Sequence, residues 1–281
     1  MSTLCFVTSC MGRLRTLRLT IGSVAAQLDS SVVVVDYSCP EGSGDWVESA
    51  YPGVLVVRES GQTRYNHSRS RNLGARAATD QWLCFCDADI LFAPTFASAV
   101  VPMLRPGHYY RPDPLDDLGI WGTFVCHRAD FERVGGFDEV YQGWGDEDMD
   151  MYDVLEMAGV KRQNFSASLL RHLPHDDTER VRYYDNKDRW LNCSINRLYR
   201  VMKAHLIRVR GQTLTPQLRE QLYRVATTNV NAAVGEGQPR QVSLELGDVA
   251  MMEGDWALSC CLTFRYYQPG VRGLESPDGS G

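Results

Sequence analysis

Residues 82–92 read WLCFCDADILF, an apolar run interrupted by two aspartates one residue apart. The pattern predicts a buried strand over residues 82–89, on which Asp87 and Asp89 would point to the same side. Two carboxylates held side by side repel each other unless a cation lies between them. A few hard oxygen ligands suit Mg²⁺ or Mn²⁺, with phosphate oxygens and water completing the shell. The stretch therefore indicates a metal–diphosphate site at the end of a strand, or more simply a strand that runs into an Asp-rich turn.

The segments before this stretch alternate between strand and helix. Apolar runs predict strands at residues 4–8, 32–36 and 54–57, and helical periodicity predicts helices at residues 12–27, 42–51 and 68–79. A βαβαβαβ array predicts an α/β fold with a parallel, doubly wound sheet and ligand groups at the carboxyl ends of its strands. Thr8, Asp36 and Asp87 would each lie at such an end. No G-x-G-x-x-G follows the first strand, which argues against an ordinary dinucleotide-binding dehydrogenase.

The second half of the chain is less regular. We expect helices at residues 94–104, 128–134 and 147–158, with a strand at residues 121–126 and a Pro- and Asp-rich loop at residues 105–118. Beyond residue 178 the pattern predicts helices, then two strands, then a disordered tail over the last eleven residues, 271–281. We find no internal repeat.

Composition excludes several classes of protein. The chain has 281 residues and a net charge of −6, so a general nucleic-acid binder is disfavoured. No apolar run reaches the roughly 18 residues that cross a membrane. The N-terminus lacks a basic segment, so we expect no signal peptide and a cytoplasmic protein. The nine cysteines are an odd number, and free thiols in a reducing compartment explain them best.

Three motifs carry a resemblance to a known family. Residues 70–75 (SRNLGA) precede the D-x-D at residues 87–89, residues 128–139 read RADFERVGGFDE, and residues 143–148 read GWGDED. Together they resemble the motifs of nucleotide-sugar glycosyltransferases with the GT-A fold. The second is similar to family-two enzymes. The third is similar to the GWG-x-ED of β-1,4-galactosyltransferases and of polypeptide or chondroitin N-acetylgalactosaminyltransferases. The resemblance covers roughly residues 3 to 180.

The resemblance implies a fold and a domain organisation. It implies a GT-A (Rossmann-like), mixed and mostly parallel sheet flanked by helices, in a catalytic domain over residues 1–178. Residues 179–270 lie outside the resemblance, and their pattern predicts a C-terminal helical and β extension that shapes an acceptor site or an interface in a homo-oligomer. One departure is Asp36-Tyr37-Ser38, where family-two enzymes usually carry an acidic pair or DDGS after the second strand.

The resemblance also implies a metal site. Asp89 would be the metal ligand, and Asp87 would contact the ribose and the metal-side groups. His172 or His175 would supply a further ligand, and the spacing after the GWG-x-ED motif slightly favours His172. The implied metal is Mn²⁺ or Mg²⁺, which neutralises charge that develops on a leaving diphosphate.

The acceptor side is implied by the third motif. Asp148 matches the second acid of the motif and would be the general base that takes the proton of the acceptor hydroxyl. Glu147 would bind acceptor hydroxyls, and Trp144, flanked by glycines, would offer a flat face to a sugar ring. The simpler interpretations are that the two acids only favour the helix N-terminus and that Trp144 is a core residue.

The donor side would be completed by polar groups near the strand ends. Thr8 and Asp36 would hold the nucleotide, Asp36 through the uracil or the ribose, although an aspartate here could equally cap a turn. Arg71 could contact the diphosphate, as could Arg64 or Arg69, because a guanidinium matches phosphate oxygens. A solvated basic helix face is the alternative.

The resulting hypothesis is a metal-dependent, inverting glycosyltransferase that uses a UDP-sugar. The hexose would be galactose, N-acetylgalactosamine, glucose or N-acetylglucosamine, and the acceptor a carbohydrate, a peptide or a small molecule. Two alternatives stay open at this point. One is a nucleotidyltransferase, although its Gly-rich G-x-G-x-R loop is missing from the sequence. The other is a non-catalytic nucleotide-sugar binding module, which would tolerate loss of Asp89 or Asp148.

Overall fold

The structure, a computed structural model, describes residues 3–114, 118–174, 176–211, 213–236, 240–251 and 257–266. The expected tail at residues 271–281 lies outside the described residues. Contacts between Cα atoms divide the chain into two compact units, Met1–Lys187 and Asp188–Gly281. Across the described residues, no helix has the length and apolar character that crossing a bilayer requires.

The first unit alternates strands and helices along most of its length. Its strands are β1 (Leu4–Cys10), β2 (Ser30–Tyr37), β3 (Leu55–Glu59), β4 (Trp82–Phe85), β5 (Ile90–Phe92), β6 (His108–Asp113), β7 (Phe124–His127), β8 (Lys161–Ser166) and β9 (Leu170–His172). Its helices are α1 (Leu14–Ala25), α2 (Ser43–Ala50), α3 (His67–Ala77), α4 (Phe96–Val100), α5 (Arg128–Arg133), α6 (Glu147–Met157) and α7 (Asp177–Val181).

Seven of these strands form one sheet in the order β3-β2-β1-β4-β7-β6-β8. The pairs β3-β2, β2-β1, β1-β4 and β6-β8 are parallel, whereas β7 is antiparallel to both β4 and β6. The predicted mixed, mostly parallel α/β sheet flanked by helices is therefore confirmed. The carboxyl ends of β1, β2 and β4 lie at one edge, which gathers the polar residues that follow them.

Both faces of the sheet are covered, which is why its strands are apolar without alternation. Phe6 of β1 packs in a core with α1 and α4, while its neighbour Val7 packs on the other face with α3 and α6. Helix α3 packs very close to β1 at Gly74, because glycine has no side chain. A Cβ at this position would overlap the Val7 side chain. This close packing fixes the position of α3, which carries two residues of the candidate site.

The predicted strand over residues 82–89 is wrong beyond Phe85. β4 ends there, and Asp87 and Asp89 lie in the turn that connects it to β5. β5 then pairs with β9, with Ile90 opposite His172. The apolar residues after the two acids belong to this second, short strand, so the run resembled one continuous element although it contains two.

The predicted loop over residues 105–118 is also wrong, because β6 occupies its centre. Tyr109, Tyr110 and Arg111 are all buried there, and the Tyr109 hydroxyl donates to Glu156 at 2.6 Å. Burial between β7 and β8 outweighs the Pro and Asp content that made the segment look irregular.

The second unit contains α8 (Arg189–Arg210), α9 (Pro216–Glu236) and the antiparallel pair β10 (Arg240–Met251) and β11 (Ala257–Tyr266). Asp188 caps α8, because its carboxylate accepts from the backbone N–H groups of Trp190 and Leu191 at 2.9 and 3.0 Å. Gly211 ends α8 with a φ of 65°, in the left-handed region that glycine adopts without strain.

Candidate active site

Helix α3 points two side chains toward the carboxyl end of β4. Its N-terminus is fixed by Asn66, whose Oδ1 accepts from the Arg69 N–H at 2.8 Å. His67 and Arg71 lie four residues apart and therefore share one face of the helix. Both side chains reach the same carboxylate, that of Asp87.

Arg71 is fully buried beneath this carboxylate. Its Nη2 donates to Asp87 Oδ1 at 2.8 Å and to the Gly122 carbonyl at 3.4 Å, and its side chain is 1% exposed. Its guanidinium carbon lies 5.2 Å from the centre of the Phe137 ring. The Nε and Nη1 atoms have no hydrogen-bond partner among the described residues, so two buried donor nitrogens are left unsatisfied.

His67 bridges two carboxylates that come from distant parts of the sequence. Its Nε2 lies 3.1 Å from Asp87 Oδ1, and its Nδ1 lies 2.9 Å from Glu147 Oε1. Burial and the neighbouring Arg71 act to lower the pKa of His67, but the two carboxylates outweigh them and raise it. The imidazole thus favours its charged form and ties the D-x-D turn to the start of α6.

The same contacts hold two acids in their charged form. Burial alone would raise the pKa of Asp87, but Arg71 and then His67 bring it well below its usual range. Burial would likewise raise the pKa of Glu147, and the hydrogen bond from His67 makes it lower instead. Asp87 and Glu147 therefore remain anionic near neutral pH.

Asp89 has a different environment from Asp87. Burial, followed by the charge of Asp87, raises the pKa of Asp89 to about 7, even though Arg13 Nη1 lies 3.0 Å from its Oδ2. His172 Nε2 is 3.8 Å from the same oxygen, and the Asp89 carbonyl accepts from the Leu173 N–H at 2.8 Å. The pairing of β5 with β9 produces this arrangement.

Asp148 lies near Asp87 across Gly122. A Cβ built on Gly122 would lie 3.7 Å from Asp148 Oδ2 and 3.7 Å from Asp87 Oδ2. Burial, followed by the charge of Glu147, raises the pKa of Asp148 to about 6, against the opposing effect of Arg71. One carboxylate stays ionised while its neighbour titrates close to neutral pH, a difference typical of acid–base sites.

Trp144 lies just before these acids, between two glycines in the left-handed region, Gly143 with a φ of 82° and Gly145 with a φ of 96°. Its ring is partly exposed rather than fully buried, and the guanidinium carbon of Arg180 lies 5.4 Å from the ring centre. Trp144 is therefore not a fully buried core residue.

The two residues expected at the first strands have different environments. The Asp36 carboxylate accepts from two backbone N–H groups, those of Cys39 at 2.8 Å and Gly44 at 2.6 Å, so it caps the turn after β2. The buried Thr8 hydroxyl has no hydrogen-bond partner among the described residues.

No set of three His, Cys, Asp or Glu side chains among the described residues is arranged to hold a metal. His175 lies outside the described residues. Asp89 and His172 nevertheless fit a divalent cation that takes other ligands from its substrate. The carboxylate and the imidazole are adjacent and nearly buried, and a cation would offset the burial and the repulsion from Asp87 that raise the pKa of Asp89.

Sequence reasoning missed two residues of this cluster, His67 and Arg13. His67 lies one residue before the predicted helix at residues 68–79, and it shares a face with Arg71 only because α3 begins at His67. Arg13 precedes α1 and reaches Asp89 only through the fold, so no local pattern identifies it.

Comparisons with known proteins find similarity over two adjacent segments. Residues 5–110 match the family model described as glycosyl transferase family 2, and residues 112–176 match the one described as N-terminal domain of galactosyltransferase. Human chondroitin sulfate N-acetylgalactosaminyltransferase 2 is 31% identical over 121 residues, which cover 31% of this chain and 22% of that protein. Human beta-1,4-galactosyltransferase 2 is 25% identical over 138 residues, which cover 44% of this chain and 37% of that protein. The match thus spans well under half the length of these curated relatives.

Solved structures share the fold at low sequence identity. Staphylococcus aureus TarS 1–349 in complex with UDP-GlcNAc has a TM-score of 0.58 at 13% identity and covers 82% of this chain and 73% of that one. The mannosyltransferase PcManGT from Pyrobaculum calidifontis, in complex with GDP-Man and Mn²⁺, has a TM-score of 0.54 at 18% identity, with 83% and 74% covered.

Proposed function

We propose that this chain, which carries glycosyltransferase family sequence over residues 5–110 and 112–176 on a GT-A fold, transfers a hexose from a UDP-sugar to an acceptor hydroxyl. The transfer would invert the anomeric centre and would depend on Mn²⁺ or Mg²⁺. The relatives named above are N-acetylgalactosaminyl- and galactosyltransferases, which favours N-acetylgalactosamine or galactose as the sugar.

One observation carries the proposal, namely that the D-x-D turn and the start of α6 share one space over Gly122. Asp87 and Asp148 both lie 3.7 Å from the point that a Cβ of Gly122 would occupy. A glycosyl transfer requires a donor site and a proton acceptor close enough to serve one reacting centre. Asp87 supports the donor site and Asp148 the proton acceptor, although the two residues are 61 positions apart in the sequence.

Charged groups and unsatisfied hydrogen-bond donors would bind the nucleotide sugar at its end of the site. Arg71 offers an anionic group two buried nitrogen atoms, Nε and Nη1, that have no partner among the described residues, and the Thr8 hydroxyl is similarly unsatisfied. Asp36 would contact the nucleotide through its carboxylate oxygens. Both oxygens already accept hydrogen bonds from backbone N–H groups, those of Cys39 and Gly44. Asp87 would approach the ribose and the metal-side groups.

Asp89 and His172, with His175 as the alternative histidine, would hold the metal ion. When bound, the ion would neutralise the negative charge that develops on the leaving diphosphate. Arg13 contacts Asp89 at 3.0 Å and would have to share or release this carboxylate when the donor site fills.

At the acceptor end, Asp148 would act as the general base. The acceptor oxygen attacks the anomeric carbon from the face opposite the diphosphate, the bond to the diphosphate oxygen breaks, and the hydroxyl proton moves to Asp148. With a pKa near 6, Asp148 is mostly deprotonated at neutral pH, yet it is basic enough to accept a proton. His67 fixes Glu147, which would orient the acceptor, and Trp144 would stack against its ring.

Slow hydrolysis of the donor tests this proposal without a known acceptor. The chain is incubated with UDP-galactose, UDP-N-acetylgalactosamine, UDP-glucose and UDP-N-acetylglucosamine in the presence of Mn²⁺, and released UDP is measured. We expect release from at least one donor, and a loss of about 10²-fold or more in Asp148→Asn.

The matched control is Asp153→Asn, an acid-to-amide change on the same helix. It should leave UDP release unchanged. Absence of release from all four donors would contradict the function, whereas equal release by the Asp148 and Asp153 variants would remove Asp148 as the base.

A further inference from the structure

Two cysteines meet where the first two strands end. Cys10 is the last residue of β1 and lies opposite Asp36 of β2 in the parallel register. Ser38 then adopts a φ of 50°, in the left-handed region, and turns the chain back. This turn brings Cys39 Sγ to 3.8 Å from Cys10 Sγ.

The two thiols have unequal surroundings. Cys10 is 1% exposed, whereas Cys39 is partly exposed and accepts a hydrogen bond from the Gly12 N–H at 3.3 Å. The contact with the Cys10 thiol lowers the pKa of Cys39 to about 5, and the same contact raises the pKa of Cys10. These surroundings favour the thiolate form of Cys39 and the protonated form of the buried Cys10 beside it.

We propose that Cys10 and Cys39 form a redox-active pair that closes reversibly to a disulfide. Cys39 is oxidised first, and Cys10 then attacks the Cys39 sulfur to form the disulfide. The oxidant is a hydroperoxide. The Cys39 thiolate attacks its terminal oxygen, the O–O bond breaks, and Cys39 becomes a sulfenic acid as hydroxide or alkoxide leaves. Cys10 then attacks the Cys39 sulfur, the S–OH bond breaks, and water leaves with the Cys10 proton.

The geometry requires only a small movement. The sulfurs must approach from 3.8 Å to about 2.05 Å, a change that rotation of the two side chains and a shift of the turn at Ser38 can supply. The Gly12 N–H, which stabilises the negative charge on Cys39, would lose its charged partner once the disulfide forms. Reduction by a thiol would restore the starting arrangement.

The pair lies beside the donor end of the site, and this consequence rests on the function proposed above. The Asp36 carboxylate holds the Cys39 backbone N–H at 2.8 Å, so a shift of Cys39 moves the Asp36 contacts. Gly12, on the other side, precedes Arg13, which contacts Asp89. We therefore infer that the disulfide weakens binding of the nucleotide donor.

Peptide mass measurement on the full chain tests the disulfide directly. After treatment with hydrogen peroxide and then with an alkylating agent, the Cys10 and Cys39 peptides should appear linked, with a loss of about 2 Da, and a thiol reductant should reverse the link. Cys10→Ser should instead accumulate a sulfenic acid on Cys39 that a dimedone probe traps. Cys193→Ser, which changes a partly exposed cysteine of the second unit, should leave the link unchanged.

Failure of the two peptides to link, or oxidation of Cys193 before Cys39, would overturn the proposal. The coupling to the donor site is tested by titrating UDP and Mn²⁺ into the reduced and the oxidised chain. We expect oxidation to weaken UDP binding about tenfold, as loss of a hydrogen bond to a charged group would. Equal affinity would overturn the coupling. A reduced chain that binds no UDP would contradict the proposed function and the coupling together, while the mass measurement would still decide whether the pair is redox-active.

Discussion

Gly122→Ala is the substitution that most directly probes the space between Asp87 and Asp148. Gly122 has a φ outside the left-handed region, so its backbone accepts alanine. The new methyl carbon would lie 3.1 Å from Arg71 Nη2 and 3.7 Å from an oxygen of each carboxylate. It would therefore occupy the space in which the proposed reaction takes place.

The size of the effect follows from these contacts. The distance of 3.1 Å forces Arg71, which is buried and pairs with Asp87 at 2.8 Å, to shift by a few tenths of an ångström. Such overpacking costs about 1–3 kcal/mol of stability. Displacement of reacting groups by about 1 Å can cost 10²-fold in rate, and the shift here is smaller, so we expect UDP release to fall about 10-fold.

The assay compares UDP release and thermal unfolding for Gly122→Ala and for Gly53→Ala. Gly53 is the matched control, since a Cβ there meets no atom within 4 Å and its φ also lies outside the left-handed region. The control should keep full activity. If Gly122→Ala released UDP as fast as Gly53→Ala while remaining folded, the space over Gly122 would not be the reaction site.

Four further predictions follow from single contacts. The pH profile of kcat/KM should fall as the pH drops through about 6, because Asp148 must be deprotonated to accept a proton and burial raises its pKa to about that value. His67→Ala should lower the free energy of unfolding by about 1–3 kcal/mol in urea titrations, because Glu147 loses its buried hydrogen-bond partner while Asp87 keeps only Arg71. Gly119→Ala should weaken Mn²⁺ binding, measured by calorimetry, because its Cβ would overlap the His172 ring. Asn72→Ala should cost about 2–3 kcal/mol in the same urea titrations, because Asn72 bonds both the N–H and the carbonyl of the buried Phe137.

For each of these four predictions, a specific result would contradict the contact or the role on which it rests. A rate that stays constant between pH 5 and pH 7, about one unit either side of the Asp148 pKa, would remove that residue as the base. Unchanged urea midpoints for the His67 or Asn72 variants would mean that the solution structure lacks the corresponding contacts. Unchanged Mn²⁺ affinity in Gly119→Ala would argue against His172 as a ligand, and Gly53→Ala again provides the control.

The sequence predicted the fold where hydrophobic periodicity was strong. The β-branched run of β2 and the helical spacing of α1 led directly to a parallel sheet, which the structure confirms. Prediction from the sequence failed where the burial of a strand depends on neighbours that are distant in the sequence. The Pro and Asp content of β6 predicts a loop, and β8 has mostly exposed polar residues, which no apolar pattern identifies as a strand.

The candidate site was predictable in parts rather than as a whole. The motifs picked out Asp87, Asp148 and Glu147, but the carboxylates were assigned to separate halves of the site. The imidazole of His67 connects those halves, and this contact depends on how α3 lies against the sheet rather than on any local pattern. The assignments of Trp144 and Thr8 to sugar and nucleotide remain predictions.

The most direct test of the central claim is a calorimetric titration of UDP, performed with Mn²⁺ and again with the metal removed by a chelator. The claim is that the D-x-D turn and His172 form the diphosphate end of a glycosyl transfer site. We predict that UDP binds in the presence of Mn²⁺, that binding weakens strongly without it, and that Asp89→Asn removes the difference. UDP binding that is absent, or equally strong with and without Mn²⁺ in the unsubstituted chain, would contradict the claim.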